Sequence, residues 1–348
     1  MKVKLLEINK HRNETTFRPY YMFRKAFKTV GIDFITEGNN YDYAWVGQAS
    51  IADKKLSLDE SVSRGLEFLN NINTPYMILD GQDSASLIGV YEVFKESRAD
   101  LLLKNTLYKD WNDYKKPSVN GRTYWDEQDS NYSCEDIDEY KSKISLSGTN
   151  WLSTVQPQWQ NIDYSQKDYD ICALFGYKGE KQNYEHGLFQ NKYYDLHREL
   201  CHNQLDRLEE KGYKVARLSN KTEKLPPQEY YNLMARSKIV LAPFGYGEMA
   251  PRDIEANMFC STLIKPSMSH LVSNPMWYED NVTYLACEHD FSDLEDKVKL
   301  VLEGGVDIAR MINKGRQRFS NMYSNPTSLV KHVYEQFIKL EEIEYEEV

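Results

Sequence analysis

Short apolar segments alternate with longer amphipathic ones along the first third of the chain. The apolar segments have the length of buried strands, and the segments between them have the apolar spacing of helices. One helix is predicted from Phe17 to Gly31, with Pro19 near its first turn, and others at about residues 58–71 and 84–97. This alternation is typical of a parallel sheet covered on both faces. The predicted strands are VKLLEIN, IDFIT, YAWVG, PYMILDG and ADLLLKN.

The alternation stops between about residues 108 and 165. This stretch is polar and rich in turn-forming residues, which predicts an irregular insertion or linker. We therefore predict an α/β fold of two Rossmann-like domains facing a cleft, at residues 1–165 and 166–325. Residues 326–348 form a helix and an acidic tail, and the helix could cross back to the first domain. The later predicted strands are YDICALFGY, YKVARLS, KIVLAPF, STLIKP and VTYLAC.

Composition limits the classes of function. The chain has 348 residues and a formal net charge of -10, which argues against a broad basic surface for nucleic acid. Its five cysteines include no CxxC pair, as expected of reduced thiols rather than of disulfides or a zinc ribbon. No apolar run is long enough to span a membrane, and no secretory signal is recognisable. We expect a cytoplasmic protein, or one of the host cytoplasm if the source is viral.

The segment from Leu241 to Pro266, LAPFGYGEMAPRDIEANMFCSTLIKP, combines a predicted strand, a glycine-rich turn and a helix. Gly245 and Gly247 flank Tyr246, and as glycines they allow positive φ and a close approach of the backbone to a ligand. Pro251 fits the first turn of a helix whose free N–H groups attract an anion. The segment therefore predicts a phosphate site.

Charged residues follow this turn at spacings that suit a nucleoside diphosphate. Arg252 and Glu255 lie three residues apart and so share a helix face, and Glu248 precedes Arg252 by four residues. An arginine can bind phosphate oxygens through two N–H groups, and a carboxylate can accept hydrogen bonds from both ribose hydroxyls. The same spacing also fits a capped surface helix with an ordinary Arg–Glu pair, so spacing alone leaves both interpretations open.

The segment SKIVLAPFGYGEMAPRDIEANMFCSTLIKPSMSHL resembles the nucleotide-binding segment of GT-B glycosyltransferases, particularly their exostosin-like branch. The later VTYLACEHDFSDLEDKVKLVL resembles the strand and helix that follow in that branch. The resemblance covers about residues 169–303. It implies that the chain uses a nucleotide sugar and that Glu255 contacts the nucleotide ribose.

The same resemblance implies further donor ligands. Many retaining members carry a glutamate that contacts the sugar; here Gly247 occupies its register and Glu248 comes one place later, so the stereochemistry stays open. Lys178 or Lys181 in FGYKGEK would supply basic groups to the diphosphate, and Lys265 is another candidate of this kind. Each lysine also fits an ordinary solvated side chain. No cofactor or metal is implied, because cationic side chains and a helix N-terminus can stabilise the leaving diphosphate.

Inverting transfer also needs a base for the acceptor hydroxyl, which the resemblance assigns to the first domain. His11 follows the first strand, and Asp80 and Asp83 follow the strand PYMILDG. Each has a structural alternative as well, His11 as a loop residue and Asp83 as a helix N-cap.

Three motifs with metal-ligand residue types are predicted not to bind metal. The acids of DYD and DID, at residues 168–170 and 136–138, are interpreted as solvated side chains rather than as a DxD metal site. His197, Cys201 and His202 share a predicted helix, and the i, i+4 spacing of His197 and Cys201 could hold a metal, but a third ligand that converges with these two is not evident.

The sequence thus predicts a metal-independent hexosyl- or pentosyltransferase that uses a UDP-, GDP- or ADP-linked sugar. Residues 1–165 would lie on the acceptor side, and residues 166–325 would bind the donor. The acceptor could be a glycan, a lipid-linked sugar, a protein or a modified base in viral DNA, so nucleic acid would enter only as an acceptor. The alternative is a catalytically silent nucleotide- or sugar-binding module on the same frame.

Overall fold

A computed structural model describes residues 1–6, 10–53, 56–118, 121–122, 132–149, 152, 155, 157–176, 191–218 and 224–346. The strands are β1 Lys2–Leu6, β2 Asp33–Ile35, β3 Tyr43–Gly47, β4 Tyr76–Asp80, β5 Leu102–Lys104, β6 Thr106–Tyr108, β7 Ile144–Leu146, β8 Tyr169–Ala173, β9 Val215–Arg217, β10 Ser237–Leu241, β11 Thr262–Pro266, β12 Leu271–Ser273 and β13 Leu285–Cys287. The helices are α1 Lys10–Met22, α2 Arg24–Thr29, α3 Leu58–Asn70, α4 Val90–Glu96, α5 Ile137–Tyr140, α6 Asn191–Glu210, α7 Pro227–Ala235, α8 Pro251–Met258, α9 Leu294–Leu302, α10 Ile308–Ser324 and α11 Thr327–Glu346.

The first sheet has six strands in the order β2-β1-β3-β4-β5-β7, and all of its pairings are parallel. Its central strands β3 and β4 are buried along their whole length, as expected when helices cover both faces of a sheet. The edge strand β7 lies within the stretch that was predicted to be irregular. Lysines and serines surround its two apolar residues, so no apolar run marks it in the sequence, whereas β2 and β5 are equally short but lie in longer apolar runs.

The second sheet has five strands in the order β13-β11-β10-β8-β9, again with parallel pairings. The chain passes from β8 to β9 on one side and then to β10 on the other, so the strand order reverses between β8 and β10. The two parallel sheets confirm the predicted α/β fold of two Rossmann-like halves.

A two-stranded antiparallel ribbon joins the halves. Its strand β6 continues from β5 of the first sheet, and its strand β12 follows β11 of the second sheet. Thr106 pairs with Ser273, and Tyr108 pairs with Leu271. Because these backbone hydrogen bonds cross from one half to the other, we call this pair the β6–β12 ribbon and treat it as the seam between the halves.

The helix α11 follows the second sheet in the chain but packs on the first. Leu329, Val330 and Val333 belong to the same buried apolar cluster as residues of β1 and β3. His332 Nε2 also lies 2.6 Å from the carbonyl oxygen of Leu146, at the end of β7. The return of a C-terminal helix to the first half is therefore confirmed. Among the described helices, none is both long and apolar enough to cross a bilayer.

The helix α1 begins earlier than predicted. It starts at Lys10, so Pro19 lies inside the helix rather than in its first turn. Gly31, with φ of +81°, follows the end of α2, as expected of a helix stop. Thr16 of α1 packs against Gly81, where an added Cβ would lie 2.5 Å from Thr16 Cγ2. The helix α1 therefore crosses the carboxyl end of β4.

Candidate functional site

The strand order of the second sheet reverses between β8 and β10, and open α/β sheets usually bind ligands in the crevice outside the carboxyl ends of such strands. Two arginines reach this crevice from different helices. Arg198 of α6 donates from Nη1 to Gly176 O at 2.6 Å and from Nε to Phe244 O at 3.2 Å. Arg252 of α8 donates from Nη2 to Leu174 O at 3.0 Å. Backbone carbonyls thus hold both guanidinium groups at the carboxyl ends of the strands.

Both guanidinium groups lie beside the ring of Phe175. The distances to the ring centroid are 5.6 Å for Arg198 and 5.8 Å for Arg252. A guanidinium has five N–H donors, and the contact with Leu174 O uses one of those of Arg252. Arg252 Nε is buried and has no hydrogen-bond partner among the described residues. Two cations beside one aromatic ring, of which Arg252 has an unpartnered Nε, are suited to a pair of phosphate groups.

Glu255 lies on α8, one turn after Arg252, and is almost completely buried. Tyr230 OH of α7 donates to Glu255 Oε2 at 2.8 Å. Burial raises the pKa of the Glu255 carboxyl, while the hydrogen bond from Tyr230 and the charge of Arg252 act in the opposite direction. The contact with Tyr230 fixes the carboxylate beside the arginine pair.

The glycine-rich turn does not use the positive φ that its glycines allow. Among the described glycines, neither Gly245 nor Gly247 has positive φ. Gly247 is instead required by a close approach between the halves, because an added Cβ would lie 2.3 Å from Cγ and 2.4 Å from the carbonyl oxygen of Asp83. Tyr246 adds to this contact, since its carbonyl accepts a hydrogen bond from Arg122 Nε of the first half.

Lys265 is buried below the turn. Its Nζ donates to Asp253 Oδ2 at 2.6 Å and to Glu248 O at 2.7 Å, and it lies 4.7 Å from the ring centroid of Tyr278. Asp253 Oδ2 also accepts hydrogen bonds from Ala250 N and from Tyr278 OH. Burial lowers the pKa of the Lys265 ammonium. This geometry makes Lys265 an anchor for the start of α8 and leaves its ammonium enclosed by protein groups.

Glu248 is also buried, with 1 % of its surface exposed. Its Oε1 lies 3.5 Å from Ser84 Oγ of the first half, and its Oε2 has no hydrogen-bond partner among the described residues. Burial raises the pKa of this carboxyl, and the positive charges of Arg122 and Lys104 offset part of that effect. Glu248 therefore faces the other half of the protein across the seam.

The two acids of the first half have different surroundings. Asp80 is fully buried and forms an ion pair with Lys104 at 2.7 Å, which favours a structural role. Asp83 is half-buried, and its carbonyl accepts a hydrogen bond from Met249 N at 3.1 Å. The alternative in which Asp83 is a helix N-cap is excluded, because α4 begins at Val90 and its N-cap is Gly89. The fold thus brings Asp83 against Gly247 and keeps Asp80 away from any opening.

Some predicted residues lie outside the described part of the structure. These are Lys178, Lys181 and the side chain of His11, whose backbone lies in α1. Conversely, sequence analysis missed Arg198, Arg122 and Tyr230. Each is a single polar residue in a segment whose only regular signal is apolar periodicity, so nothing in the sequence marked it as part of this crevice.

The motifs judged unsuited to metal are mostly engaged in other contacts. Asp168 pairs with Arg236, Asp170 with Lys238, and Asp136 with Lys95. His197 accepts a hydrogen bond from Phe244 N at 3.1 Å and stacks on His289 at 4.2 Å between centroids. Within the described ranges, no group of three or more His, Cys, Asp or Glu is arranged to hold a metal ion.

Comparison with known proteins gives similarity at the level of the fold. No protein-family model matches the chain, and no curated protein matches it. Solved structures that align over most of it include Staphylococcus aureus MnaA with UDP, at 12 % identity and a TM-score of 0.43, covering 97 % of both chains. Anabaena Alr3699/HepE with UDP-glucose has 11 % identity and a TM-score of 0.42, covering 97 % of this chain and 99 % of the other.

An α1,3-fucosyltransferase with GDP-fucose has 10 % identity and a TM-score of 0.41, covering 94 % of this chain and 91 % of the other. All three proteins were solved with a nucleotide or a nucleotide sugar. At these identities and scores, the similarity does not define what the present chain binds, and membership of the exostosin-like branch stays a prediction.

Proposed function

We propose that this protein is a glycosyltransferase that moves a sugar from a nucleoside diphosphate sugar to an acceptor hydroxyl. The observation that supports it most is the pairing of Arg198 and Arg252 around Phe175 at the crevice of the second sheet. The diphosphate would lie between these guanidinium groups and the N-terminus of α8. Glu255, held by Tyr230, would accept hydrogen bonds from the ribose hydroxyls.

In the proposed reaction, the bond between the anomeric carbon and the diphosphate oxygen breaks, and a bond from that carbon to the acceptor oxygen forms. The electron pair of the broken bond stays on the diphosphate, where the fixed guanidinium groups stabilise the growing negative charge. The proton of the acceptor hydroxyl passes to a carboxylate of the first half. We propose Asp83 for this role, because it is half-buried and lies against the turn at Gly247.

Lys265 and Glu248 have supporting roles in this proposal. Both are buried against protein groups, so they would shape the turn and the start of α8 rather than contact the donor. Lys178 and Lys181 remain candidate diphosphate ligands. The nucleoside would be that of a UDP-, GDP- or ADP-linked sugar, and we expect transfer to persist in the presence of a chelator.

Donor binding is testable with a thermal-shift panel of UDP-, GDP-, ADP- and CMP-sugars. One member should raise the melting temperature of the wild type. Glu255→Ala should remove that shift, and Glu255→Gln should weaken it, because the amide retains only one acceptor oxygen. Glu295→Ala, at a surface ion pair of α9, is the matched control and should leave the shift unchanged. An undiminished shift in Glu255→Ala would contradict the assigned ribose contact.

Hydrolysis of the donor distinguishes an active transferase from a catalytically silent binding module with the same fold. An active transferase releases sugar slowly to water in the absence of acceptor, whereas a silent module binds the donor and leaves it intact. The assay should therefore follow free nucleoside diphosphate over hours with the donor that gives the largest thermal shift.

A further inference from the structure

A cavity of about 600 Å³ lies at the Tyr108–Leu271 end of the β6–β12 ribbon. The first half contributes residues 109–113 to its wall, and the second half contributes residues 269–270. The two walls are joined by a hydrogen bond of 2.8 Å from Lys109 N to His270 O. The cavity therefore belongs to the seam between the halves.

This cavity is close to the glycine-rich turn. The ring of His270 lies 6.4 Å from the ring of Phe244, measured between centroids, and Phe244 directly precedes Gly245. The same histidine ring lies 6.0 Å from the ring of Tyr108 in the ribbon. The ring of His270 in the cavity wall and the ring of Phe244 therefore link the cavity to the residue before the turn.

The cavity combines an aromatic surface with fixed polar groups. Trp111 is half-buried and rests on Tyr114, with 5.5 Å between ring centroids. Next to it, Asp110 Oδ1 accepts hydrogen bonds from Asn112 N at 2.9 Å and from Asn112 Nδ2 at 3.0 Å. An aromatic ring can cover the C–H face of a pyranose, and carboxylate and amide groups can bind its hydroxyls. Because these side chains already hold one another, a ligand loses less free energy in ordering them.

The charges around the cavity are largely paired. Asp113 forms an ion pair with Lys116 at 2.6 Å, and Asp138 pairs with both Lys115 and Lys141. Binding of a polyanion depends on cations that can exchange their counterions for phosphates. Among the described residues that line the cavity, Lys109 and Asp110 are in none of these ion pairs, and their opposite charges balance. A neutral, hydroxyl-rich ligand needs no cations, so this balance favours a saccharide over a nucleic acid.

We propose that this cavity binds a neutral oligosaccharide through stacking on Trp111. The identification of this saccharide as the acceptor rests on the proposed transferase function. The binding of a saccharide at Trp111 does not depend on that function. The proposal selects glycans from the acceptors that the sequence left open.

The test is saturation-transfer difference NMR, with affinities from titration, on the full chain. The probes are neutral di- to tetrasaccharides of glucose, galactose, mannose and N-acetylglucosamine, with a single-stranded DNA oligonucleotide as the competing class. Trp111→Ala should weaken saccharide binding about tenfold or more, and Trp111→Phe should retain most of it. Asn112→Ala should also weaken saccharide binding. Because Asn112 is exposed, this variant tests the proposal if Trp111→Ala fails to fold.

The matched control is Asn321→Ala, in a separate cavity of about 400 Å³ between α1 and α10, which should bind saccharide as the wild type does. The proposal is overturned if no saccharide of the panel binds, if the Trp111 and Asn112 variants bind it unchanged, or if the oligonucleotide displaces it.

Donor thermal shifts on the same variants distinguish this proposal from the proposed function. If the donor raises the melting temperature as expected but Trp111→Ala binds saccharide as tightly as the wild type, only the cavity assignment is contradicted. Saccharide binding that depends on Trp111, without any donor shift in the wild type, supports the cavity and contradicts the transferase.

Discussion

Asp83 combines a structural and a proposed chemical role at the level of a single residue. Its backbone carbonyl accepts a hydrogen bond from Met249 N, and this main-chain contact between the halves does not use its carboxylate. This separation is useful, because the carboxylate can be changed without removing the contact between the halves.

We expect Asp83→Asn to bind donor like the wild type and to lose about 10²- to 10⁴-fold in turnover, the usual contribution of a general base. The measurement compares kcat with the donor thermal shift. Asp168→Asn, at a surface ion pair with Arg236, is the control and should retain full turnover. Turnover near the wild-type rate in Asp83→Asn would assign the proton transfer to another group.

Glu248 allows a prediction about pH. Burial raises its pKa above the ordinary value of 4.5, so the folded state holds the proton more tightly than the unfolded state does. The stability that this protonation contributes is complete below pH 4.5 and is lost as the pH rises through the folded-state pKa. Glu248→Gln removes the titration, and relative to the wild type it should gain stability as the pH rises from 4.5 to 7.5.

The gain should be about 1–3 kcal/mol at pH 7.5, the usual range for a buried polar group without a partner. Urea unfolding of both proteins at several pH values measures it. Glu303→Gln, at an exposed position, should differ from the wild type by less than about 0.5 kcal/mol throughout. A difference for Glu248→Gln that is flat or falls with rising pH would mean that the carboxylate is well solvated or ion-paired.

Elements that an apolar run or an apolar period marks could be predicted from the sequence, whereas strands without such a mark and the details of the turn could not. The buried strand β4 and the helix α3 carry enough apolar positions to define a period, and both were found. The strands β7 and β12 have three residues each and exist because of their neighbours in space. The requirement for Gly247 likewise comes from Asp83, which lies far away in the sequence, rather than from the local backbone.

At the level of elements, Gly247→Ala tests whether the turn and the loop after β4 must touch. The added methyl group would force these segments apart, because one of the atoms it meets is the backbone carbonyl of Asp83. We expect a loss of about 1–3 kcal/mol in stability, as for overpacking elsewhere, together with weaker donor binding. The control is Gly31→Ala, at φ of +81° and with open space around it, which should lower stability while leaving donor binding intact.

Equal donor affinity in wild type and Gly247→Ala would show that the turn can move without affecting the crevice. Chemical denaturation and the thermal-shift panel provide the two measurements. Both variants should be compared at the same pH, because Glu248 lies beside the altered residue.

For the whole molecule, α11 determines the stability of a half that it does not adjoin in sequence. Leu329→Ala should destabilise the protein by about 2–5 kcal/mol, because its side chain is buried in the apolar cluster of the first sheet. Tyr334→Ala, on the same helix with 47 % of its surface exposed, should change stability by less than about 0.5 kcal/mol.

Hydrogen exchange gives a readout specific to this effect. In Leu329→Ala, amides of β1 and β3 should exchange faster, whereas those of β8 and β10 should change less. Uniform acceleration in both sheets would indicate that the halves unfold as one unit, and unchanged exchange in the first sheet would show that α11 contributes little to its core.

The position of α11 also has a consequence for biosynthesis. A ribosome completes every strand of both sheets before it makes this helix. Part of the apolar core of the amino-terminal half therefore stays exposed to water while the rest of the polypeptide is translated. This core is covered only when α11, which is synthesised much later, packs on it. Nascent chains stalled ahead of residue 327 should accordingly bind chaperones through the first sheet.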